Sequence, residues 1–394
     1  MSEIKEIYLD NSATTKISDE VLEKYVTVSK EIYGNPSSLH RLGLLAEKEL
    51  NTARELILKS IGETASSVVF TSSGSEANNL AIIGRAFAKE RYRTKGKIIT
   101  TMGEHASVSA PIAKLSELGF KVAYIPTKNG KIDTDTLLSE LSCDVILVSF
   151  MMVNNESGAL YDISGAAKLV RASAPEALIH VDATQSYMKV RFTKRSLGAD
   201  MITLSSHKIK GPKGVGALVI DNKVIKNKGI SPLILGGGQE GGLRSGTENV
   251  PAIAAFGEAA KIAYSNLDER ISKTEALRSY LIERLEADPA LSEITVTNPP
   301  SHAPHILNIT LPDIKSETAL HYLSSLGIYV SSGSACSSNS AHTSSALIAY
   351  GKTEAEADSS IRISFSESNT KEDVDALCEA LIFSLARLSR IRRR

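Results

Sequence analysis

The sequence predicts an α/β protein: a mostly parallel central sheet covered by helices on both faces, with a smaller α+β domain beside it. Three observations carry this. Between about Val21 and Ala260, short β-branched runs bounded by turn residues alternate with amphipathic stretches. The runs are nearly all apolar, as strands buried on both faces must be. From about Asn266 the texture changes to long helical stretches around a few short strands. This division puts residues 16–260 in the large domain. Residues 1–15 and 261–394 form the small one, which carries a loop at 331–345.

Taken in order, "SVVFT" reads as a strand and "EANNLAIIGRAFAKERY" as the helix after it. "KIITT", "KVAYIP", "DVILVSF", "LIHVDA", "DMITLSS" and "GALVID" read as further strands. In the second part, "LDERISKTEALRSYLIERLEA" has helical periodicity. "HILNITLP", "YVSSG" and "SIRISFS" read as strands, and a short helical stretch lies near Ser345–Tyr350. The last helix, "KEDVDALCEALIFSLARLSRI", takes Thr370 or Asn369 as its N-cap.

The chain has 394 residues, enough for two cores. Hydrophobic residues make up 42% and charged residues 23%, the balance of a water-facing globular protein. The formal net charge is zero, so no global field recruits nucleic acid or an anionic membrane. No direct nucleic-acid binding is expected. No apolar run approaches the roughly 20 residues of a membrane span. The opening "MSEIKEIYLDNSATT" lacks the layout of a secretory signal, and three scattered cysteines make no disulfide framework. A reducing cytoplasm is the expected location.

In open α/β sheets, ligands sit at the carboxyl ends of strands. After "SVVFT" comes "SSGSEANN", a turn that is either a phosphate site or a plain cap with Ser73 or Ser75 capping. After "KIITT" comes His105, structural or catalytic. After "DVILVSF" comes Asn155, a ligand contact or a turn former. After "LIHV" comes Asp182, a carboxylate that burial makes costly without a cationic or protonated partner. After "MITLSS" come His207 and Lys208, the lysine either facing solvent or a functional amine. Together these name pyridoxal 5'-phosphate. The turn takes its phosphate, the acid keeps its ring nitrogen protonated, and the lysine holds its aldehyde as an imine.

In these residues the chain resembles the cysteine desulfurases of the NifS/IscS kind. They belong among the class V, fold-type I pyridoxal phosphate enzymes. The likeness runs through "YLDNSATT", "YGNPSSLH", "FTSSGSEANNLAI", "EHASV", "VNNESG", "HVDATQS", "SSHKIKGPKGVGAL", "GGGQEGGLRSGTENV", "SSGSACSS" and "SSIRIS". The resemblance implies that Lys208 bonds the cofactor, Asp182 pairs with its ring nitrogen and Gln185 meets its ring hydroxyl. It implies that His105 stacks on the ring and assists proton transfer. Gly74, Ser75, Ser205 and His207 would hold the phosphate. Thr247 would reach the cofactor of the other subunit of a homodimer. Asn155, Asn35 and Arg362 would hold the carboxylate of the substrate, L-cysteine; an arginine fork suits both oxygens.

The resemblance also assigns Cys336, a thiol in a serine-rich loop. Its thiolate would attack the substrate sulfur, leaving a persulfide and alanine, with Lys208 as the base for the α-proton. The sulfur would pass to an acceptor protein, such as an iron–sulfur scaffold or a tRNA-thiolation protein. Relatives acting on selenocysteine or cysteine sulfinate, a true transaminase and an idle scaffold are the competing readings; a transaminase has no use for Cys336. The phosphate turn departs from the family's glycine-alanine-threonine-glutamate, reading Ser73-Gly74-Ser75-Glu76. Cys143 and Cys378 are expected in the core or on a helix face. His302 and His305 form an H-x-x-H with no matching partners, so no metal is expected there. His342 reads as a solvated loop residue. Arg387, Arg390, Arg392, Arg393 and Arg394 complement the dipole of the last helix.

Overall fold

The structure is a computed structural model that describes residues 5–88, 95–332 and 344–392. Cys336 and His342 lie outside the described residues. Among the described residues, thirteen strands fall into three sheets. They are β1 (Ile7–Tyr8), β2 (Ser66–Thr71), β3 (Lys97–Thr101), β4 (Lys121–Ile125), β5 (Val145–Met151), β6 (Leu178–Asp182) and β7 (Met201–Ser205). Then follow β8 (Gly216–Asp221), β9 (Thr295–Thr297), β10 (Ile306–Thr310), β11 (Ile328–Tyr329), β12 (Ser331–Ser332) and β13 (Ser360–Ser364).

The large sheet has the order β2-β8-β7-β6-β5-β3-β4. All its pairs are parallel except those of β8, which runs antiparallel to β2 and β7. Every residue of β5 is buried, as is expected of a strand with helices on both faces. Its two apolar faces feed separate clusters. Phe150, Val148 and Val181 pack with the helix Val250–Ser265; Leu147, Ile98 and Ile146 pack with the helices Gly74–Ala86 and Ala106–Glu117. His180 on β6 is buried between strands, its ring nitrogens 2.8 Å from Ser149 Oγ and 2.9 Å from Thr203 Oγ1. Burial pushes its pKa down to about 4, so it ties β5, β6 and β7 as a neutral ring.

A four-stranded antiparallel sheet, β12-β13-β10-β9, carries a third core with the helices Leu267–Ala287 and Lys371–Arg392. Leu277, Leu281, Ile361, Ile363 and Leu381 meet there, all buried. The N-terminal β1 joins this part by pairing with β11 in parallel register. "YVSSG" is not one strand: β11 and β12 belong to different sheets, with Val330 between them. Ser345–Tyr350 is helical, capped by Ser344 Oγ, which accepts from Leu347 N–H. Thr370 caps the last helix, its Oγ1 accepting from Asp373 N–H at 3.4 Å. Cys378 is fully buried, but Cys143 is exposed. Cys143 falls in the turn that separates a helix ending at Glu140 from β5, and so packs on neither.

The helix after β2 runs from Gly74 to Ala86, shorter than the sequence pattern suggests. Its first turn is pressed against β8. A Cβ at Gly216 would lie 2.5 Å from the carbonyl carbon of Ser73 and 2.7 Å from Gly74 N, closer than a real Cβ approaches backbone. Gly216→Ala should therefore force the turn away from the sheet. The expected cost is about 1–3 kcal/mol in urea unfolding, with no change in the unfolding slope.

Candidate active site

A cavity of ≈ 390 Å³ opens at the carboxyl ends of the parallel strands. Asp182 closes β6, Ser205 closes β7, Met151 closes β5, and Ser73, Gly74 and Ser75 follow β2. Arg362 of β13 and Ser331 of β12 line it from the small sheet. Asp10, Ser12 and Ala13 of the N-terminal segment complete it.

Asp182 is 5% exposed, and each of its carboxylate oxygens accepts one hydrogen bond. Oδ2 accepts from Asn78 Nδ2 at 2.8 Å and Oδ1 from Thr184 N–H at 2.9 Å. Asn78 also donates to Ser107 Oγ at 2.8 Å, and Ser107 Oγ lies 2.8 Å from His105 Nδ1. His105 caps the helix Ala106–Glu117 through Nδ1, which accepts from Ser107 N–H at 3.1 Å. An accepting Nδ1 leaves Nε2 as the protonated nitrogen of a neutral ring. Burial lowers the His105 pKa; Asp182 opposes the shift and Lys208 adds to it. His207, 3.1 Å from Thr14 Oγ1, is pushed down to about 3 by burial and then by Lys208, Lys189 and Lys213. Both rings are neutral at pH 7.

Lys208 ends a short 3-10 turn, Ser206–Lys208, directly after β7. Its Nζ donates to the carbonyls of Ser12 at 2.6 Å and Ala13 at 2.7 Å. Gln185 Nε2 donates to the same Ser12 carbonyl at 2.9 Å. Gln185 Oε1, Ser205 Oγ and Ser12 Oγ are buried without a hydrogen-bond partner. Ser73 Oγ caps the helix by accepting from Glu76 N–H at 3.2 Å. The first amides of that helix have no acceptor within it. A Cβ at Gly74 would fall 3.1 Å from Thr184 Oγ1 and 3.4 Å from Ser205 Cβ, so glycine keeps this corner open.

Arg362 Nη2 pairs with Asp10 Oδ1 at 2.7 Å, and Nη1 donates to the Asn155 carbonyl at 2.8 Å. Its Nε is buried without a partner. Lys208, Asp182, Gln185, His105, Gly74, Ser75, Asn155, Ser205, His207 and Arg362 thus share one cavity. Asn35 and Thr247 are exposed and do not line it. Ser331 stands five positions before Cys336 in the chain.

Sequence reasoning passed over Asp10, Ser12, Ala13 and Asn78. Asn78 carried a signal: it lies four residues after Gly74, one helical turn along the same face. Glu104 was also missed. It is buried beside His105, with Oε1 accepting from Thr101 Oγ1 at 2.6 Å and Met151 N–H at 3.0 Å. Burial, aided by the Asp182 charge and opposed by those two bonds, raises its pKa to about 8.

The aminotransferase class-V family model matches residues 7–377. A NifS/IcsS protein homolog of Lactobacillus delbrueckii subsp. bulgaricus is 41% identical over 95% of this chain and 96% of its own. The cysteine desulfurase IscS of Dictyoglomus turgidum is 39% identical over 96% of this chain and 94% of its own. A solved NifS-like protein superposes with a TM-score of 0.89 at 36% identity, covering 97% of this chain and all of that one. The chain belongs to the class V aminotransferase family, among its cysteine desulfurases of the NifS/IscS kind. The enzymes of this family depend on pyridoxal phosphate.

Glu104 makes a stability test. Its unfolded carboxyl titrates near the ordinary value of 4.5 and its folded one near 8. A raised folded pKa gives stability that is full below pH 4.5 and is lost as pH rises through 8. Glu104→Gln should remove this loss. Melting temperatures at pH 6 and pH 9 should then differ less for the variant than for the parent.

Proposed function

We propose that this chain is a pyridoxal-phosphate-dependent L-cysteine desulfurase. It converts L-cysteine to L-alanine and takes the sulfur on Cys336 as a persulfide. The observation that carries the reading is the meeting of Lys208, Asp182, His105 and Arg362 around one cavity at the strand ends. The residues fit the cofactor. Gln185 Oε1 and Ser205 Oγ are buried and unmet, and Gly74 leaves the corner clear beside the helix N-terminus. When bound, pyridoxal phosphate stabilises the negative charge that develops at the substrate α-carbon.

Each residue then has a task. Asp182, positioned by hydrogen bonds from Asn78 and the Thr184 amide, meets the ring nitrogen. Gln185 meets the ring hydroxyl, and Asn155 borders the same cavity. Gly74, Ser75, Ser205 and His207 take the phosphate. Lys208 anchors the aldehyde and moves the α-proton at Nζ. His105 covers the ring and, being neutral, can donate at Nε2 without adding charge. Arg362, with Asn155, binds the substrate carboxylate, its unmet Nε being the available donor; Asn35 of the same chain stands outside the cavity and does not take the role expected of it.

Cys336 attacks the substrate sulfur as a thiolate. One S–S bond forms and one C–S bond breaks. The carbon keeps the electron pair and takes a proton, so no external oxidant or reductant is required. Thr247 and Asn35 are exposed on this chain, which suits a homodimer in which Thr247 serves the other subunit's site. The sulfur goes on to an acceptor protein, an iron–sulfur scaffold or a tRNA-thiolation protein. Among the described residues no helix is long and apolar enough to cross a membrane, and we place the enzyme in the cytoplasm.

Pure protein given L-cysteine and a reductant should yield sulfide and alanine in equal amounts. Amino transfer to a keto acid without sulfide would overturn the reading. Lys208→Ala should lose the visible absorbance of the cofactor and at least about a thousandfold in rate. Cys336→Ser should keep the absorbance and lose sulfide release. Arg362→Lys keeps the charge but not the fork, and should raise KM about tenfold.

A further inference from the structure

We propose that the protein binds one small monovalent anion of the chloride class in a second cavity, behind Lys208. This cavity has a volume of ≈ 20 Å³. A guest the size of a water needs about 10–15 Å³, so one atom-sized ion fits. The wall is built by both parts of the molecule. Lys189 comes from the turn after β6, Lys208 and Lys210 from the segment after β7, and Arg270 from the helix Leu267–Ala287. His305 stands before β10 and Glu367 after β13.

The charges around the cavity do not balance. Four residues with permanently or commonly cationic heads and one histidine face a single carboxylate. That carboxylate is shared already: Glu367 Oε1 lies 3.0 Å from Lys210 Nζ and 3.5 Å from Arg270 Nε. Lys189 Nζ and both ring nitrogens of His305 are buried with no hydrogen-bond partner. The two residues are 8% and 1% exposed. A buried ammonium with no acceptor, opposed only by a carboxylate that two other cations already share, is strongly disfavoured, and polar cavities of this size hold a guest. Water would meet some of these donors but none of the charge. A chloride ion accepts from several donors at once and supplies the missing negative charge. The low pKa of Lys189, caused by burial and then by Lys208 and Arg270, with Glu367 opposing, agrees with an excess of cations over the one carboxylate.

Lys208 lines both cavities. An anion on its far side favours the protonated amine, so occupancy is felt by the residue that anchors the cofactor. That consequence alone rests on the proposed function; the binding site does not.

The test compares sodium chloride with sodium gluconate at equal ionic strength, on the purified full chain without cysteine. The melting temperature should rise by about 2–4 °C at chloride near 100 Kd. The ³⁵Cl resonance should broaden on adding the protein. Both effects should vanish in Lys189→Met. Equal melting in the two salts with no broadening would overturn the proposal, leaving water beside a neutral lysine. Should Lys189→Met fail to fold, crystals soaked in bromide decide. An anomalous peak between Lys189 and His305 supports the site; its absence overturns it. None of these readings uses turnover, so their failure is distinct from a failure to release sulfide.

Discussion

Asp182 ends a strand buried on both faces, and its carboxylate keeps almost no contact with water. A charge in that place stands only if donors replace the solvent. Asn78 and the Thr184 amide do so from two different elements. Asn78 can reach because the helix Gly74–Ala86 starts immediately after β2 and lies against the strand ends. The same helix start opens the corner guarded by Gly74. The next donor along, Ser107, connects Asp182 to His105. The carboxylate thus ties together the start of the helix and, through Asn78 and Ser107, the orientation of the histidine. An apolar residue there would relieve the burial but leave the Thr184 amide and one hydrogen of Asn78 Nδ2 without an acceptor.

The second constraint is the N-terminal segment, which bridges the two sheets. β1 joins the small part, yet Ser12 and Ala13 present carbonyls to Lys208, and Ser12 to Gln185 as well. Asp10 holds Arg362 beside the same cavity. Ser12 N–H donates to Ser364 Oγ at 2.8 Å, two residues along β13 from Arg362. A displacement of the small sheet would therefore be transmitted to the lysine and to the glutamine together. This placement also explains why the cavity has walls from both parts, and why Ser331, at the head of the cysteine segment, borders it.

Much of this was legible in the chain. The strand runs of the large sheet stand close to where their β-branched residues put them, and the residues following β2, β3, β5, β6 and β7 do converge, because parallel strands end at one edge. Periodicity could not give the antiparallel setting of β8, since a buried strand reads the same in either direction. It also read "YVSSG" as one strand, where β11 and β12 serve different sheets. Cys143 was assigned to a packed face on its type alone, while the helix and strand beside it stop short of it.

The sequence by itself singled out an acid, a lysine, a histidine and an arginine, each tied to the end of a strand or to a family motif, and all four line one cavity. The tertiary structure decided their partners. That Asn78 serves Asp182, that Ser12 serves both Lys208 and Gln185, and that Lys189 and His305 share a basic cavity are juxtapositions of residues more than a hundred positions apart. Local propensity carries no information about such pairs. They are set by how two cores pack against each other, and by the rule that buried polar atoms find partners wherever the fold brings them.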